Sequence, residues 1–208
     1  MTEMVPLVSP HSAQEIMNIA DRNLSKFFPI PISLIEPQAL YHLFEFGELS
    51  KIGFSYGVEE LPHREEAHTD FKTNTIVLSI GTYDRLAKDE HRARFTLAHE
   101  IGHAVMHANS MHALRRPSAA RQEACGGVQS PIKKFRRGQF PAYLDPEWQA
   151  NKFASYFLMP NFLLDQIAKK GNLTIQALSM SAHVSALAAQ YRIEEYSKSR
   201  RKNSLRDL

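Results

Sequence analysis

The chain has one cysteine in 208 residues, Cys125, and that excludes an internal disulfide. A lone thiol beside Gly126-Gly127 reads as an incidental loop residue rather than a metal or redox site. No stretch approaches the roughly 20 consecutive apolar residues of a membrane span, so no transmembrane helix is expected. Met1-Thr2-Glu3-Met4 has neither the basic segment nor the apolar core of a secretory signal. With the single cysteine, this predicts a cytoplasmic protein that does not enter membranes. Internal repeats are also missing. What is present is ordinary for a globular chain: 43% hydrophobic and 23% charged residues.

The net charge is only +3, but the excess is unevenly placed. Arg115, Arg116, Arg121, Lys133, Lys134, Arg136 and Arg137 face one acid, Glu123, and a tail carries Lys198, Arg200, Arg201, Lys202 and Arg206. Such clusters can meet nucleic acid or an acidic partner, and equally can be solvated loop and terminus.

Residues 12–28 have apolar positions at helical spacing, with Ser12 as N-cap and Glu15 in capping-box position. A short helix is expected at about 37–46 and an alternating strand within 51–61. Two further strands, 67–72 and 75–80, flank a turn at Thr73-Asn74. A helical segment then runs from Asp84 or Asp89 to about Ala108, with Leu97, Ala98, Ile101, Ala104, Val105 and Met106 as its apolar face. Residues 109–141, rich in Ser, Gly, Pro, Arg and Gln, read as a basic loop or insertion. Asp145-Pro146 is a strong helix start for 145–158, Pro160 stops it, and a helix at 161–169 ends at Gly171. Two short helices within 173–196, with Thr174 and Ser181 as possible caps, resemble a helix-turn-helix. The expected fold is α+β: a zincin-like helical core with a small, mostly antiparallel three-stranded sheet, and a helix-turn-helix-like C-terminal region. Residues 1–170 would form the main domain, and 171–208 a helical region with a basic tail.

The chemistry lies in His99-Glu100-Ile101-Gly102-His103. Helical residues four apart are about 40° apart around the axis, so both imidazoles project from one face and can share an ion. Glu100 between them can act as a general base toward a polarised water. A catalytic zinc centre wants a third protein ligand. His107 lies about 12 Å along the axis from His99, too far to share the ion; it could still shape the cleft, but reads best as a helix-surface histidine. Asn109 and Met106 occupy the positions where a metzincin would have histidine and glycine. Glu147, on the first turn of the 145–158 helix, is the best remaining candidate. Asn151, one turn on, is placed to hydrogen-bond the distal nitrogen of a ligand histidine and so orient its ring. A first-turn acid is also favoured by the helix dipole without any metal.

Arg94-Phe-Thr-Leu-Ala-His99-Glu100-Ile-Gly-His103, then Glu147-Trp-Gln-Ala-Asn151-Lys-Phe-Ala154, then Leu158-Met-Pro160 resembles the ImmA/IrrE family of metallo-endopeptidases. The resemblance runs over roughly residues 12–193. It implies His99, His103 and Glu147 as metal ligands, Glu100 as catalytic acid/base, and a gluzincin-like core. The 109–141 stretch is longer and more basic than the family pattern.

The reading that follows is a zinc-dependent endopeptidase, with Mn²⁺ or another divalent ion as the alternative metal. By resemblance, its substrate is a cytoplasmic regulatory protein, namely a DNA-binding repressor of a mobile element or stress response. Thr75–Ile80 is expected to pair with an extended substrate. Tyr156, His107, His68 and Arg94 are the candidates for stabilising an oxyanion. The alternative is a non-proteolytic transcriptional regulator or anti-repressor acting through protein or DNA, with direct DNA binding not favoured. A toxin–antitoxin partner would differ mainly in genetic context.

Overall fold

The structure, a computed structural model, describes residues 4–6, 8–28, 34–62, 64–115, 134–136 and 141–204. The fold is α+β: mostly helical, with a small three-stranded sheet. Strand β1 (Met4–Pro6) precedes α1 (Ala13–Phe27) and α2 (Ala39–Glu45). Strands β2 (Ser55–Glu59), β3 (Ala67–Asp70) and β4 (Thr75–Ser79) lead into α3 (Ile80–Ala87) and α4 (His91–Arg115). After β5 (Lys134–Arg136) come α5 (Pro146–Leu158), α6 (Asn161–Lys169), α7 (Ile175–Ala182) and α8 (Ala186–Ser204).

Local chemistry sets the helix starts. The Ser12–Glu15 capping box is complete in both directions. Asp145 caps α5 by accepting from the Glu147 amide, with Pro146 at the first helical position. Thr174 caps α7. Ser185 rather than Ser181 serves α8, accepting from the Ala188 amide, because Ser181 lies inside α7. Gly171 turns the chain out of α6 at φ +70°.

The sheet order is β2-β4-β3. β3 and β4 form the expected antiparallel hairpin, closed by Asp70, which accepts from the Lys72 amide and the Thr73 hydroxyl. β2 runs parallel to β4, so the sheet is mixed. The three buried residues Ile76, Val77 and Leu78 make β4 the most apolar strand, and it takes the centre between the other two. The strand expected to offer an edge to substrate therefore has both edges occupied. Among the described residues, the edge beside α4 that no strand pairs with belongs to β3.

Helix α4 is the axis of the molecule. Leu97, Ala98, Ile101, Ala104 and Met106 are buried as expected, but so are Ala93, Arg94 and His107, so burial is not confined to one face. α5 covers one side and β3, β4 and α3 the others, while α1 packs behind α5. α4 also continues through residues 109–115, which were expected to begin a loop. That segment has no glycine or proline, and it contains Met111, Ala113, Leu114 and Arg115, all good helix formers. β5 pairs with β1. Most of the basic cluster, and Cys125, lie outside the described residues.

Two contacts fix α4 against its surroundings. At Gly102 a Cβ would stand 3.1 Å from the Cβ and ring of Phe153, which is stacked on Phe157 and wholly buried. At the start of α4, Arg94 is fully buried and pairs with Asp89. The same carboxylate meets His183 Nδ1 at 2.6 Å and so ties α7 to the head of α4. α7 and α8 share the core through Leu178, Ala182, Val184, Ala189 and Tyr196.

Replacing Gly102 with Ala gains about 1 kcal/mol of helix propensity but overpacks Phe153 at a cost of roughly 1–3 kcal/mol. The expected result is a net loss of about 1 kcal/mol in urea denaturation, and a stabilised variant would contradict the close approach. Asp89→Ala leaves the Arg94 charge buried and unpaired, and should cost roughly 3–5 kcal/mol in the same measurement.

Candidate metal centre

α4 presents His99 and His103 on successive turns, and α5 brings Glu147 to them from its first turn. The three donor atoms lie within 4.8 Å of one another. His99 Nε2 is 3.3 Å from Glu147 Oε2, His103 Nε2 is 3.2 Å from Glu147 Oε1, and the two Nε2 atoms are 3.0 Å apart. A tetrahedral centre with bonds of about 2.0–2.1 Å requires ligand atoms about 3.3 Å apart, so this donor set fits one divalent ion. The histidine side chains are 16% and 13% exposed and Glu147 is 37% exposed, so the group opens to solvent on one side.

The electrostatics call for positive charge at the point of convergence. The His103 and His99 imidazoles beside its carboxylate hold Glu147 well below the usual carboxylate range, against the effect of burial. Burial works against a charged His99, but Glu147 and Glu100 outweigh it and its pKa is raised. A cation between these groups satisfies the same field.

Each ring is held from behind. His99 Nδ1 donates to Asn151 Oδ1 at 3.1 Å, the arrangement expected from the spacing of Glu147 and Asn151. Behind His103, Nδ1 lies 2.9 Å from His107 Nδ1, and His107 Nε2 lies 3.0 Å from Gln149 Oε1. His107 is therefore not a surface residue. It is fully buried, and burial foremost pushes its pKa down to about 3. Spacing held the clue, since His103 and His107 are four apart on one helical face. Gln149 and Thr69 had no such signal. Thr69, on β3, donates to Glu100 Oε2 at 2.7 Å and lies 3.1 Å from the Glu100 carbonyl. It thereby ties the edge strand to the motif helix. Glu100 itself is only 7% exposed.

A cleft of about 700 Å³ adjoins the centre. Glu66 and Ala67 at the start of β3 form one wall, and Arg92, Phe95, Thr96 and Glu100 of α4 form the floor. Val184, Ser185 and Ala188, at the head of α8, close the far side. Glu66 locks wall to floor by accepting from Arg85, Arg92 and Thr96. Three of the four candidate oxyanion stabilisers are buried and engaged elsewhere. Arg94 is committed to Asp89, and His107 lies behind His103. Tyr156 is buried and donates to Glu195, and burial followed by that bond pushes its pKa up. His68 faces Glu65 at 2.8 Å.

The sequence matches the model of a peptidase family described as the IrrE N-terminal-like domain, over residues 64–194, more than half of the chain. The chain belongs to that family. The matched segment begins before β3 and ends within α8, so it contains the whole cleft and all three convergent donors. No curated protein matches. A transcriptional regulator from Mycobacterium tuberculosis is similar in structure at 14% identity and a TM-score of 0.42. The match covers 85% of this chain and 51% of that one, so this chain spans about half of that protein's length. A likeness at that level fixes neither activity nor partner. No helix among the described residues is long and apolar enough to cross a membrane.

Asn151→Ala should weaken Zn²⁺ binding by about 10–100-fold through loss of ring orientation, while Glu147→Ala should weaken it further. Competition against a chromogenic chelator measures both. Equal affinity in Glu147→Ala and the parent would remove Glu147 from the ligand set.

Proposed function

We propose that this member of a peptidase family is a metal-dependent endopeptidase, with His99, His103 and Glu147 as ligands and Glu100 as the catalytic acid/base. The observation that carries the reading is the convergence of the three donors at the edge of a cleft whose wall includes a free strand edge. Zinc suits two imidazoles and a carboxylate, and Mn²⁺ remains the alternative. When bound, such an ion supplies Lewis-acid polarisation of the scissile carbonyl and eases deprotonation of the attacking water.

The chain's own residues do the rest. An extended peptide pairs with the free edge of β3, which holds it along α4 and brings its backbone past Glu100. Glu100 takes a proton from the attacking water as the new C–O bond forms at the scissile carbon. It then returns that proton to the amide nitrogen as the C–N bond breaks. The hydroxyl of Thr69 keeps Glu100 Oε2 at a fixed position, leaving the other oxygen for the transfer. Val184 and Ala188 make the opposite wall apolar, suited to substrate side chains.

The substrate we propose, on the resemblance of the motifs, is a regulatory protein in the cytoplasm, specifically a DNA-binding repressor cut at limited positions. Direct DNA binding through the C-terminal helices is the weaker reading. The head of α8 is a cleft wall, and the exposed face of its first turns, Leu187, Gln190, Tyr191 and Glu194, carries no basic residue.

Glu100→Gln should lower cleavage of a candidate repressor by about 10²–10⁴-fold while Zn²⁺ affinity stays within a few-fold of the parent. Gel-based cleavage assays with and without chelator read the outcome. Full activity in that variant, or activity indifferent to chelator, would sink the mechanism.

A further inference from the structure

The hydrogen bonds behind His103 form a chain with only one consistent direction. Gln149 Nε2 lies 2.9 Å from the Ser9 carbonyl and 2.7 Å from the Tyr143 carbonyl. Carbonyl oxygens only accept, so the amide nitrogen must face them and both its hydrogens are used. Gln149 Oε1 is therefore the atom turned toward His107 Nε2, and it can only accept. His107 Nε2 must then carry a hydrogen. His107 is fully buried, and its ring nitrogens face an amide oxygen and another imidazole, with no carboxylate to balance an imidazolium. As a neutral ring with hydrogen on Nε2, its Nδ1 is an acceptor. His103 Nδ1, 2.9 Å away, must be the donor. A neutral His103 with hydrogen on Nδ1 leaves Nε2 as a bare lone pair, directed at Glu147 and His99 Nε2.

We infer that Gln149 and His107 act as a positioning pair that fixes the tautomer and ring orientation of His103, so that its Nε2 is held ready as a metal ligand. The inference rests on reading His99, His103 and Glu147 as a metal site. On the other ligand, one amide does this job directly, since Asn151 Oδ1 accepts from His99 Nδ1. On His103 the job is done in two steps because a second buried imidazole lies between ring and amide. The relay is anchored outside the two helices of the site: Ser9 precedes α1, and Tyr143 lies in the turn that leads into α5. These two carbonyls keep the amide nitrogen of Gln149 turned away from His107.

The test uses the full chain loaded with Zn²⁺, and with Co²⁺ for its absorption bands. His107→Leu and Gln149→Leu should each weaken Zn²⁺ binding by about 10–100-fold and shift the Co²⁺ spectrum. His107→Asn should recover affinity to within a few-fold of the parent, because its Oδ1 falls near the position of Nδ1 and accepts from His103. A packing role alone predicts the opposite order, with apolar Leu tolerated in a buried site and smaller, polar Asn worse. Parent-like affinity in His107→Leu, or Asn binding no better than Leu, overturns the inference while the peptidase reading stands. A parent that binds neither ion overturns both. Thermal melting of each metal-free variant identifies any that fails to fold, and Gln149→Leu against His107→Asn then decides.

Discussion

The close approach of α5 to α4 is the constraint on which the centre depends. Where the two helices meet, Gly102 has no side chain and the Phe153 ring lies against the backbone it leaves bare. Ala150 and Ala154, both fully buried, keep the facing side of α5 slim. With the helices this close, residues on each side of the contact meet in register. Glu147 faces His99 and His103, Asn151 reaches His99, and Gln149 reaches His107. A bulkier residue at 102 would act on all of these at once, because they are rows of a single interface.

The remaining polar contacts hold this interface in the rest of the molecule. Glu66 joins the start of β3 to α3 and α4 through Arg85, Arg92 and Thr96. Asp89 joins Arg94 to His183 and so seats the C-terminal helical pair against the head of α4. On opposite sides of the cleft, these two carboxylates fix its walls to its floor. A charge buried as deeply as that of Arg94 is costly alone and tolerable only with its partner.

Much of this was legible in the sequence, for identifiable reasons. Caps and helix ends were readable at Ser12, Asp145, Thr174 and Gly171 because side-chain hydrogen bonding and positive φ act over a few residues. The His-Glu-His spacing and the Glu147–Asn151 register were readable because helical periodicity fixes faces. The order of the strands was not, since which strand takes the middle depends on tertiary burial. β4 holds that place, and the free edge passed to β3. His107 was misread because periodicity gives a direction around α4 but not what packs there. For a helix buried on several sides, an apolar face is a poor guide to the exposed one. Thr69 reaches Glu100 across 31 residues of sequence, and no local pattern marks such a pair.

The ligands on α4 and the ligand on α5 are separated by the connection from Arg115 to Pro146. Closing a loop costs free energy that grows only with the logarithm of its length, about 0.6 kcal/mol for each doubling. The ligand set therefore depends far more on the helix contact at Gly102, where one added methyl group is felt at once, than on how long that connection is.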